Sequence, residues 1–112
     1  FVRDVQQNAA LLASRTPSGA SGNAFSHAAV RLARDGSRVA FVSNASNLVN
    51  GDTNGFADVF VFDVATQTVQ LTSAAADGSP GNNHSGFELG TFGNPDLELS
   101  GDGDTLVFTT AA

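Results

Sequence analysis

The chain has 112 residues, 41% of them apolar and 14% charged, with a net charge of −6 and no cysteine. That length holds one domain with a modest core, and the missing cysteine removes disulfides, thiolate metal sites and cysteine nucleophiles. No apolar run approaches the roughly 18 residues of a membrane span, and an acidic chain whose few arginines are scattered over several segments offers no clustered basic surface for nucleic acid.

Charge is polarised along the chain. All five basic residues (Arg3, Arg15, Arg31, Arg34 and Arg38) lie in the first 38 positions, giving +3 there and −9 over residues 39–112. The chain opens at Phe1 without a methionine or a signal-like segment, which reads as a piece of something longer.

Taken in order, the segments repeat. Phe1-Val2-Arg3-Asp4-Val5 returns 59 positions later as Phe60-Val61-Phe62-Asp63-Val64. Ala9-Ala10-Leu11-Leu12-Ala13 could form a helical turn, but its alignment with Val69-Gln70-Leu71-Thr72 makes it a strand. Gly19-Ala20-Ser21-Gly22-Asn23 matches Gly78-Ser79-Pro80-Gly81-Asn82 at the same spacing. Val30-Arg31-Leu32 and Val39-Ala40-Phe41-Val42 flank Arg34-Asp35-Gly36-Ser37, where Asp-Gly supplies the positive φ of a tight hairpin. Asp58-Val59-Phe60-Val61-Phe62-Asp63 and Thr68-Val69-Gln70-Leu71-Thr72 form a second hairpin of alternating residues. Asp35-Gly36 then recurs 67 positions later as Asp102-Gly103 before Leu106-Val107-Phe108, so this copy carries eight extra residues, placed at 86–93.

Four short antiparallel strands per repeat, joined by Gly-, Asn- and Ser-rich loops, predict an all-β fold of propeller blades. Asp35-Gly36-Ser37-Arg38-Val39-Ala40-Phe41-Val42-Ser43 resembles the strand-turn-strand core of TolB-type β-propeller repeats. Asn44 through Val61, with Ser46-Asn47-Leu48-Val49, Gly51-Asp52-Thr53-Asn54-Gly55 and Asp58-Val59-Phe60-Val61, resembles a longer bacterial variety of that repeat. Ala33-Arg34, where the family prefers Ser-Pro, and the 86–93 insertion depart from it.

The family's strand order, a to d from the inside outward, implies about two four-stranded antiparallel blades out of phase. Strands c and d fall at 1–14, a full blade at 28–73, and strands a and b at 95–110, all within a single segment 1–112. Two blades cannot close a ring, so completion comes either from head-to-tail copies of the chain or from a longer parent propeller. Three copies would give six blades, and Arg31 and Glu98 hold equivalent inner-strand positions.

Candidate sites are few. Asp52, Asn54 and Asp58 place oxygens at positions 1, 3 and 7 of a loop, overlapping the start of a calcium site. Phe56 stands where an oxygen is needed, and the alternative is that Asn54-Gly55 turns the chain while the aspartates bind loop amides. The expectation is no cofactor, with calcium at this loop as the one the spacing allows. His27 and His84 read as loop residues between blades, without the further ligands zinc needs. Asp96, Glu98, Asp102 and Asp104 read as a solvated acidic hairpin. Gly101-Asp102-Gly103 lacks the lysine and helix of a phosphate loop.

With neither Trp nor Tyr for sugar stacking, Phe41, Phe60, Phe62 and Phe108 are assigned to packing between blades. The expected function is a non-catalytic scaffold or protein-interaction module, which the resemblance sets in the bacterial envelope, periplasmic or secreted. The alternatives are the propeller part of a hydrolase or lyase, or a calcium- or carbohydrate-binding ring.

Overall fold

The computed structural model describes residues 1–85 and 97–110, with backbone alone at 27–29. The described residues are all-β: β1 (Val2–Asp4), β2 (Ala9–Leu11), β3 (Ser26–Leu32), β4 (Arg38–Ser43), β5 (Asp58–Asp63), β6 (Thr68–Leu71), β7 (Leu97–Leu99) and β8 (Leu106–Phe108). Every pairing is antiparallel. β1 and β2 form one sheet, β3-β4-β5-β6 a four-stranded meander, and β7 and β8 a third sheet. Ala9–Leu11 is therefore strand, as the repeat alignment requires. The 86–93 insertion and Asp96 lie outside the described residues.

The turns follow local chemistry. Gly36 (φ 74°) and Gly103 (φ 76°) take the left-handed conformation at the two Asp-Gly turns. There Asp35 Oδ1 accepts from the Ser37 N–H at 2.9 Å, and Asp102 Oδ1 from the Asp104 N–H at 3.0 Å. At the β1–β2 and β5–β6 turns Asp4 and Asp63 each accept two backbone N–H groups, and Asn8 and Gln67, 59 positions apart, both adopt positive φ.

The loops repeat at the same offset. The bridges Arg15↔Ser21 and Ala74↔Pro80 correspond, as do the hydrogen bonds from Gly22 N–H to Ser14 O and from Gly81 N–H to Ser73 O. Ser26 opposite Ser43 is matched by Ser85 opposite Thr110, with hydroxyl contacts of 2.9 and 3.0 Å.

β4 is the centre of the molecule because both of its faces are covered, which is why it reads as continuous apolar sequence rather than an alternation. Val39 and Phe41 join Phe60 and Phe62 in a cluster that also takes Val2 and Leu11 from the β1–β2 sheet. The Phe41 and Phe60 rings stack with centroids 5.7 Å apart. On the opposite face Ala40, Val42 and Val59 pack with Leu97, Leu99, Leu106 and Phe108 of the β7–β8 sheet. The four phenylalanines assigned to packing thus lie between sheets. Burying one such side chain contributes about 1.5–3 kcal/mol.

β3 starts earlier than its apolar run suggests and carries a register shift between His27 and Val30. His27 is a strand residue, paired with Val42, and not a loop residue. The loop reading fails because Ser26 and His27 continue the ladder across the bulge, which an apolar pattern starting at Val30 does not reveal.

Candidate functional site

The connection from β4 to β5 holds the predicted cluster. The Ser43 hydroxyl starts it, donating to Phe25 O at 3.1 Å and accepting the Ala45 N–H at 3.0 Å. Asn23 clamps the next stretch: its amide N–H donates to Asn47 Oδ1, its side-chain amide donates to Ser46 Oγ, and its Oδ1 accepts the Ser46 N–H. Leu48 is thereby held in the core at 1% exposure, against Gly22. Gly51 and Gly55, at φ 87° and 73°, then turn the chain back toward β5.

Asp52, Asn54 and Asp58 converge as their spacing suggests. Asp58 is fully buried at the head of β5. Its Oδ1 accepts from the Ser73 hydroxyl at 2.7 Å and its Oδ2 from the Asn54 side-chain amide at 2.8 Å. The same Asn54 amide donates to Gly81 O at 2.7 Å, and Asn54 Oδ1 accepts the Phe56 N–H at 3.0 Å. Ser73 Oγ also accepts the Val59 N–H at 3.0 Å. All of these groups are satisfied within the chain, tying the β4–β5 loop to the ends of β5 and β6 and to the loop after β6.

Asp52 lies beside this network, 4% exposed. Burial, and secondarily the Asp58 carboxylate, push its pKa from 3.8 up to about 6, against a smaller lowering by the Asn54 backbone N–H. Among the described residues no three of His, Cys, Asp and Glu form a metal-holding group. Asn54 has its carbonyl on a backbone amide and its NH₂ on Asp58 and Gly81, the arrangement of an Asx turn locked to a carboxylate.

His84 belongs to the same assembly, which sequence spacing does not show. Its Nδ1 accepts the Ala57 N–H at 2.9 Å, and its ring meets Phe56 edge to face at 5.1 Å. Ser73 is the other residue missed. Its signal was present in the repeat, because Ser14 and Ser73 recur at the 59-residue offset although both neighbours of each differ.

Three of the four acidic residues of the last hairpin are among the described residues. Glu98 lies on β7, while Asp102 and Asp104 sit at the exposed turn. Arg38 spans two sheets there, meeting Asp63 at 3.5 Å and also the Asp104 carboxylate and Gly103 O. The Ser100 hydroxyl and the Asp104 N–H hold the Asp102 carboxyl below its usual range, as the Ser37 hydroxyl and N–H hold Asp35.

A groove of about 320 Å³ opens between the loop after β2 (15–17), the β4–β5 connection (48–50) and the start of β6 (67–69), where Arg15 donates to Gln67 Oε1 at 3.1 Å. Comparison with known protein families, curated proteins and solved structures found no match.

Proposed function

We propose that this chain is a non-catalytic β-propeller scaffold of TolB type, a periplasmic or secreted interaction module that works by taking up strands at its two incomplete sheets. The observation that carries the reading is the two-four-two division of strands into sheets that pack face to face, with turns and loop hydrogen bonds repeating at 59 and 67 residues. Such a stack supports reading the sheets as consecutive blades, in which the outer sheets, with two strands each among the described residues, are half-blades. The polar cluster around Asp58 supports a structural role, since Asn54 and Ser73 spend their hydrogen-bonding groups on Asp58 and on backbone, and His84 Nδ1 accepts the Ala57 N–H.

An incomplete sheet leaves backbone N–H and C=O groups and apolar side chains in water, a state that strand addition relieves. The completing strands therefore come from protein, either further copies of this chain or a longer parent propeller. Light scattering over a wide concentration range tests this. A mass that is a multiple of the 11.4 kDa chain is expected. A single-chain mass at every concentration would remove self-association from the reading.

A further inference from the structure

Among the described large apolar side chains that stay exposed are Phe1 (87%), Val30 (60%), Leu32 (59%) and Val107 (65%). Each has a counterpart in the repeat that is covered. Phe60, Leu97 and Ala40 are 0%, 1% and 0% exposed, and Leu99 is half-buried. The differences have one geometric origin. Leu97 and Leu99 of β7 pack on Ala40 and Val42 of β4. Val30 and Leu32, the equivalents on β3, face the β1–β2 sheet, which holds no strand equivalent to β4 among the described residues. Val107, the equivalent of Ala40, points away from the face of β8 that Leu106 and Phe108 press into the core.

Resting on the scaffold reading above, we propose that the missing strands are β7 and β8 of a second copy of this chain, with β8 pairing antiparallel to β1 so that Val107 stands opposite Val2 and Phe108 opposite Phe1. The register is that of β4 on β5, where Ala40 stands opposite Val61 and Phe41 opposite Phe60, carried over by the repeat offsets. It places Val107 on the same face as Val2, which already packs against the core of the four-stranded sheet, and directly over Val30 and Leu32. One docking event covers all four exposed side chains.

The backbone agrees. Ser100 N–H donates to Thr105 O at 2.8 Å, so in the alternating antiparallel ladder Val107 points its amide at β7 while Leu106 and Phe108 point theirs at the open edge. Thr72 N–H donates to Val59 O, which directs Phe60 and Phe62 toward β4, and hence their equivalents Phe1 and Arg3 toward the open edge of β1. Charge is complementary as well. The incoming hairpin carries Glu98 and Asp102, and the accepting side carries Arg3, Arg15 and Arg34, whereas Arg31 lies with Ala40 on the opposite face of β3 and Asp104 already meets Arg38 within the chain.

Ala40 and Val61 form a non-hydrogen-bonded pair, since Val64 N–H donates to Ser37 O three positions away. Such pairs bring Cα atoms to about 4.5 Å, within disulfide reach. The test mixes a Val2→Cys protein with a Val107→Cys protein under oxidation. A disulfide between the two is expected, with little product when Asp4→Cys replaces Val2→Cys, because that pair is two residues out of register.

In the unsubstituted protein, the Arg3, Leu106 and Phe108 amides should exchange slowly with solvent at high concentration and lose at least tenfold protection on dilution to the single chain. Cross-linking of the Asp4 pair, or fast exchange at these amides while the mass exceeds one chain, overturns the register and leaves the scaffold reading standing. A single-chain mass throughout overturns the proposal together with self-association.

Discussion

Ser73 and Asp58 are joined by a 2.7 Å hydrogen bond in which the hydroxyl donates to a fully buried carboxylate while accepting the Val59 N–H. One side chain thus satisfies two groups that have no access to water. Ser73→Ala leaves both short of a partner, and a hydrogen bond to a charged group contributes about 1.5–3 kcal/mol. A loss of about 2 kcal/mol is expected in urea denaturation at fixed protein concentration. A loss below about 0.5 kcal/mol would show that the Asn54 amide alone suffices for Asp58.

Asp52 makes stability depend on pH in a direction opposite to most aspartates. Its carboxyl keeps a proton up to about pH 6 in the folded chain and releases it near 3.8 when unfolded. Between those values the folded state binds more protons, so stability falls as pH rises from about 4 to about 6. Asp52→Asn removes that decline and gives a protein at least as stable at pH 7. Urea midpoints of both proteins across this window check it; parallel curves would acquit Asp52.

Calcium is the third case. Since Asn54 and Asp58 are bonded to each other, a cation would have to displace that hydrogen bond to use both as ligands. The expected outcome is an unchanged melting temperature on adding millimolar calcium and then chelator. A reversible upward shift would instead make Asp52, Asn54 and Asp58 a calcium site.

Two glycines should respond oppositely to alanine. A Cβ on Gly22 would meet Leu48 Cδ2 at 2.9 Å and Ala45 Cβ at 3.1 Å, inside the packed loop that Asn23 clamps. Overpacking of this kind costs about 1–3 kcal/mol. A Cβ on Gly101 would make an ordinary 3.5 Å contact with Arg34 Cβ, with φ outside the left-handed region, so Gly101→Ala gains about 0.4–1 kcal/mol by restricting the unfolded chain. Thermal denaturation of the two variants gives the comparison, and a destabilised Gly101→Ala would mean that Arg34 cannot yield.

Much of this architecture is legible in the residues. The Asp-Gly turns at 35–36 and 102–103 and the alternation of 58–63 are local signals, set by which backbone angles and faces a residue tolerates. The repeat settled Ala9–Leu11 as strand, where the local residues also suited a helical turn. His27 escaped because a bulge is a cross-strand event, and His84 and Ser73 escaped because their partners, Ala57 and Asp58, lie 27 and 15 residues away.

The sequence by itself determined the all-β class, the two hairpins, the repeat offsets and the polarity of charge, because each depends on neighbours within a few residues or on self-similarity. Only the tertiary structure decided that Asn54 and Asp58 close into a network with Ser73, with Asp52 buried beside it, and that Val30, Leu32 and Val107 stay uncovered. Burial and hydrogen-bond partnership are properties of what packs on the other side of a sheet, and periodicity marks an apolar face without saying what covers it.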